Sequence, residues 1–192
     1  MPLGTSSNRQ LYDLEARDLK LIGNGLRRHF DPADWQRVGL EGREHMAQVA
    51  HDYIRERYDL APQALRLARD WPEGLHGDFD PLTKQVTVNA GLLHRDDPTP
   101  LLNTLAHENR HAVQQERIEG NQPVPYEDRI GSTEVDAWAA DGQKYNRDVF
   151  VQYHYNSLEV DAREAASSVV NEGFWSEHRR LLEGRVAEAA IR

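Results

Sequence analysis

Apolar residues recur at helical spacing through most of the chain. Leu11, Leu14, Ile22, Leu26 and Phe30 fall on one stripe and predict a first helix, and a second is expected from Asp34 through Trp35, Val38, Met46, Val49, Tyr53 and Ile54 towards Tyr58. The period then shortens. Leu65 and Leu67 alternate in "ALRLARDWP", "DFDP" reads as a turn, and "KQVTVN" is a β-branched run, so a small antiparallel or mixed sheet is expected here. Helical spacing returns after "DDPTPLL", with Thr99 as the expected N-cap and Pro100 in the first helical position, and continues from Leu101 to about Glu119. The Gly- and Pro-rich "GNQPVPYEDRIGS" is then a loop long enough to suggest a functional role. A helix is expected from Thr133, with Thr133 and Asp136 in a capping-box arrangement, and another over "SLEVDAREAASSVV" until "NEGFW" breaks it; a polar helix closes the chain.

This order of elements predicts an α+β fold, mostly helical, with the small sheet packed on the helix that follows Pro100. At 192 residues the chain fits one domain, expected over residues 11–192 behind a flexible lead-in at 1–10. No run approaches the roughly 20 apolar residues of a membrane span, and "MPLGTSSNRQ" lacks the basic start and apolar core of a cleavable signal peptide. The expectation is a protein that is cytoplasmic in its producer and exported, if at all, by a specialised secretion system. Acidic residues exceed basic ones by 32 to 23, for a net charge of −9, which gives no general attraction to nucleic acid or to anionic membranes. Trp35, Trp71, Trp138 and Trp175 are expected to pack the core.

The chain has no cysteine, so any metal must be held by His, Asp or Glu. The stretch "LAHENRHAVQQE" answers that requirement. Residues four apart project from one helix face a turn apart, so His107 and His111 can both reach one ion at about 2 Å from each nitrogen. Glu108 lies about 100° further round the helix, where its carboxylate can contact a water on the metal without binding the metal itself. That is a general base's position. Set against it is a solvated helix whose two histidines do no chemistry.

A catalytic zinc site needs a third protein ligand and keeps its fourth position for water. Glu159 shares a stripe with Ala162, Ala166, Val169 and Val170, which turns its carboxylate to the core, where a carboxylate needs a partner. Glu134 is the alternative, although the helix dipole already accounts for an acidic residue in a first turn. Asp136 and Asp161 stand behind both. Just upstream of Glu159, Tyr153, His154 and Tyr155 are candidates to stabilise an oxyanion opposite the metal. His29, His45, His51, His76, His94 and His178 have no partner at ligand spacing and read as ordinary surface or core groups.

Through "HENRH" and the downstream E-x-x-A at Glu159 and Ala162, the sequence resembles the zincin superfamily of metallopeptidases, in its gluzincin branch. "GDFDPLTKQVTVN", "TLAHENRHAVQQ", "DAWAADGQKY" and "YHYNSLEVDAREAA" together are similar to zincin domains at the C-termini of bacterial polymorphic toxins and secreted effectors, whose closing E-x-D-A-R falls on Glu159, Asp161, Ala162 and Arg163. "AHENRHAVQQ" is also similar to a short domain of bacterial extracellular contractile injection clusters. The resemblance implies a zincin-like core with Zn2+ on His107, His111 and Glu159, catalysis by Glu108, and a protein or peptide substrate. It adds an immunity or chaperone protein as a candidate partner. The alternatives are a catalytically inactive binding module that keeps the zincin shape, and a zinc amidase acting on a non-protein amide.

Overall fold

The computed structural model describes residues 5–120, 132–142 and 156–190. Helices α1 (Thr5–His29), α2 (Pro32–Arg37) and α3 (Leu40–Arg57) lead into strands β1 (Arg66–Ala68), β2 (Gly77–Asp80) and β3 (Gln85–Asn89). A 3-10 turn at Ala90–His94 precedes α4 (Thr99–Ile118), followed by α5 (Ser132–Gly142) and α6 (Ser157–Ser167). A π-helical segment, Ser168–Phe174, joins α6 to α7 (Trp175–Ala190). The architecture is α+β, with a three-stranded mixed sheet in the order β1-β3-β2: β1 runs parallel and β2 antiparallel to the central β3. Among the described residues no helix is long and apolar enough to cross a membrane.

The long helix α4 is the axis of the domain. It packs against α3, the sheet, α5, α6 and the π-helical segment. Leu101, Leu102, Leu105, Ala106, Ala112 and Val113 give it a buried apolar face, opposite Val86 and Val88 of β3 and Ala47, Ala50 and Ile54 of α3. Lys84, at the end of the β2–β3 turn, donates to Glu116 at 2.7 Å and Glu119 at 2.8 Å, which ties the hairpin to the last turns of α4.

Local chemistry departs from the expected elements in several places. Helix α1 begins at Thr5, ahead of its apolar stripe. The helix expected from Asp34 is two helices. Asp31 caps α2 by accepting from Ala33 N at 2.8 Å, and Val38 and Gly39 then leave the helical region in extended backbone before α3 starts. "DFDP" is not a turn in its first three residues: Phe79 is buried, so Asp78–Asp80 belong to β2, and the turn follows, held by Asp80 accepting from Leu82 N and Thr83 Oγ1. Thr99 opens α4 as its first residue, and it is Asp97 that accepts from its backbone N–H at 2.9 Å.

"NEGFW" does not break its helix. The backbone widens there into a π-helical stretch and runs on into α7. α1 crosses this segment with Gly23 against Gly173, where a Cβ on Gly23 would stand 1.9 Å from the Val169 carbonyl oxygen. Trp35 and Trp138 are buried as expected, whereas Trp71 and Trp175 are only half-buried.

Beneath α4, the fully buried His51 meets Asn109, whose Nδ2 lies 3.1 Å from the His51 Nδ1, and Asn109 also accepts from Arg55. Burial, with the nearby Arg55 charge, pushes the His51 imidazole down to about 4 from 6.5. The unfolded chain therefore binds a proton between pH 6.5 and pH 4 that the folded chain refuses, so stability falls as the pH drops through that window. Urea unfolding across this range should show the wild-type protein losing roughly 3 kcal/mol more than a His51→Gln variant. Parallel pH profiles for the two proteins would contradict a neutral buried His51.

Candidate metal centre

His107 and His111 stand one turn apart on α4, and Glu159 stands in the first turn of α6, where the two helices pack closely. Two things set that crossing. Ala162, Ala165 and Ala166 give α6 a small-residue face towards the core, and Asn156 caps the helix by accepting from Leu158 N at 3.0 Å. Asp141 at the end of α5 accepts from Ser157 N at 3.0 Å and so fixes where α6 starts.

The side chains converge on one point. His107 Nε2 and His111 Nε2 are 3.1 Å apart, Glu159 Oε2 is 3.3 Å from the first and Oε1 is 3.4 Å from the second. Among the described residues these three form the one group of His, Asp and Glu side chains whose donor atoms close on a common centre. Glu159 is only 1 % exposed, with Arg163 Nη1 3.8 Å from its Oε2.

This group can hold a metal ion, and its donor chemistry fits one. Tetrahedral coordination with bonds of about 2.0–2.1 Å separates neighbouring donor atoms by about 3.3–3.4 Å, and the two imidazole nitrogens, 3.1 Å apart, and the two Glu159 oxygens that face one each lie near that separation. The hydrogen bonding agrees. Gln114 Nε2 donates to Leu158 O at 2.9 Å and to Asp161, which leaves its Oε1, 2.7 Å from His111 Nδ1, to accept from that ring. With the proton on Nδ1, His111 turns a lone pair towards the other imidazole and a buried carboxylate, an arrangement that calls for a cation or a further proton at the centre. The His111 imidazole is pulled both ways: burial lowers its pKa, but the hydrogen bond to Glu159 and the Glu108 and Glu159 charges outweigh it, and the net shift is upward.

Glu108 adjoins the cluster and is buried. It rests against Gly77 of β2, where a Cβ would come within 2.7 Å of Glu108 Oε1, so the absence of a side chain at position 77 makes room for the carboxylate. Burial raises its pKa against the lowering effect of His111 and His107, with Glu159 and Asp78 adding to the rise. A cavity of about 420 Å³ opens onto His107 and Glu108 and is also lined by His76, Asn103, Arg163 and Asn171. A second, of about 620 Å³, reaches His111 from the side of Phe79, Pro81, Ile118 and Leu158. The cluster is thus approached from two sides, the second of them mostly apolar.

Glu134 is half-buried in the first turn of α5 and is not part of the cluster. Asp136 is exposed, and Asp161 is engaged by Arg110, whose Nε and Nη2 donate to its two oxygens at 2.7 and 2.8 Å. Tyr153, His154 and Tyr155 lie outside the described residues, as does the loop over 121–131. Arg110, Gln114 and the role of Asp161 were missed by the sequence reading. One signal was present: Arg110 falls on the same helical stripe as the apolar Ala106 and Val113, and a buried guanidinium requires a carboxylate. No family model, curated protein or solved structure matches this chain.

The geometry separates the two glutamates experimentally. With zinc as the probe and a competing chelator as the readout, Glu159→Ala should weaken metal binding far more than Glu134→Ala, which should bind as the wild type does. Equal losses, or the reverse order, would remove Glu159 from the centre.

Proposed function

We propose that this chain is a zinc-dependent metallopeptidase of zincin type that hydrolyses peptide bonds and acts as a bacterial secreted effector or toxin domain. The observation that carries this reading is the juxtaposition of Glu108 with the His107, His111 and Glu159 cluster, with Glu108 and His107 lining one open cavity. A zinc ion held by those three residues would supply a Lewis acid that polarises a substrate carbonyl and acidifies the attacking water.

The chain's own groups carry the proton traffic. Among the described residues that line the cavity next to His107, Glu108 is the one carboxylate outside the ligand set, so it takes the proton from the attacking water and returns it to the departing amine. Gly77, by lacking a side chain, leaves room for that carboxylate against the sheet. His107, His111 and Glu159 keep their places through the packing of α4 on α6. The effector assignment has a separate support, the likeness of "TLAHENRHAVQQ" and "LEVDAREAA" to toxin zincins.

Glu108→Gln preserves shape and removes the proton acceptor. The variant should take up one zinc per chain and melt at the wild-type temperature, while cleavage of an unstructured protein such as casein, or of proteins in a host-cell lysate, falls by at least about 100-fold. Expressed inside bacterial or eukaryotic cells, the wild-type protein should be toxic in one host and Glu108→Gln should not. Equal toxicity of the two forms would point to a binding mechanism, and undiminished cleavage by Glu108→Gln would end the peptidase reading.

A further inference from the structure

We propose that Gln114 is a positioning residue that fixes His111 in the tautomer protonated on Nδ1, and that Asp161, clamped by Arg110, holds Gln114 in the orientation this needs. The consequence for metal affinity rests on the metal reading of the site; the tautomer itself does not.

Three hydrogen bonds carry the inference. A carboxamide has one acceptor oxygen and one donor nitrogen, and both sites that the Gln114 nitrogen faces, the Leu158 carbonyl and the Asp161 carboxylate, can only accept. The amide therefore cannot be reversed. Its oxygen faces His111 Nδ1 at 2.7 Å, so that nitrogen must be the donor, and in the neutral ring Nε2 then carries the lone pair turned towards His107 and Glu159. Asp161 is kept from turning away by the two-point pair with Arg110, a fully buried guanidinium packed over the Trp138 ring.

The same amide also bridges the two helices. Leu158, whose carbonyl accepts from Gln114, directly precedes Glu159, so one side chain on α4 aligns both an imidazole of its own helix and the backbone that carries the carboxylate. Gln114 is buried, and a residue chosen only to fill that volume would be apolar. A glutamine with all three contacts in use reads as an orienting group.

Long-range proton–nitrogen NMR correlation on the metal-free, 15N-labelled wild-type protein above the titration of its rings reads the tautomer directly, with His111 identified by its absence from the His111→Ala spectrum. The expected result is a protonated Nδ1 and a bare Nε2. Gln114→Met should shift His111 towards the other tautomer and weaken zinc binding about 10- to 100-fold. A wild-type His111 protonated on Nε2 overturns the proposal whether or not the variants fold, as does a Gln114→Met protein with unchanged tautomer and unchanged affinity. Failure of the wild-type chain to take up zinc would count against the metal reading alone, since the NMR measurement still decides the tautomer.

Discussion

A carboxylate withdrawn from water must meet positive charge or hydrogen-bond donors, and Glu159 is withdrawn almost completely. Its oxygens face two imidazole nitrogens that also face each other, so the centre of the domain brings three electron-pair donors to one point. Such a cluster is costly unless a cation or protons occupy its middle. The surrounding structure keeps it together: alanines on α6 allow close approach to α4, Asp141 sets the first residue of α6, and the Arg110–Asp161–Gln114 chain fixes ring and helix at once.

The rest of the fold supports α4 in that position. Valines of β3 and the alanine-rich face of α3 press on its apolar side, which leaves the opposite side to present Glu108, His107 and His111 towards the cavities. The π-helical segment after α6 extends the same principle. Where α1 crosses it, Gly173 packs against Gly23, and Asn171 stands on the wall of the cavity beside His107 without interruption of the helix that carries Glu159.

What could be read beforehand follows physical range. The spacing of His107, Glu108 and His111 is a property of one helix and was legible from consecutive residues, as was the inward stripe of Glu159, Ala162, Ala166, Val169 and Val170. The mixed sheet was legible in outline, but "DFDP" misled because turn-forming aspartates flank a phenylalanine whose burial makes it a strand residue. The break at Val38 and Gly39 and the continuous helix through "NEGFW" depend on what packs against them, and no local pattern specifies a crossing with α1. Gln114 illustrates the same limit. Its function arises only when α6 brings Leu158 and Asp161 alongside it, more than 40 residues later in the chain.

Diffraction from crystals of the wild-type protein grown with zinc, recorded on both sides of the zinc absorption edge, is the most direct measurement of whether this cluster is a metal centre. One anomalous peak per chain is expected, at about 2 Å from His107 Nε2, His111 Nε2 and a Glu159 oxygen. A map with no peak there, and the two imidazoles still hydrogen-bonded to each other in the presence of zinc, would show that the cluster is held by protons and that the metal reading is wrong.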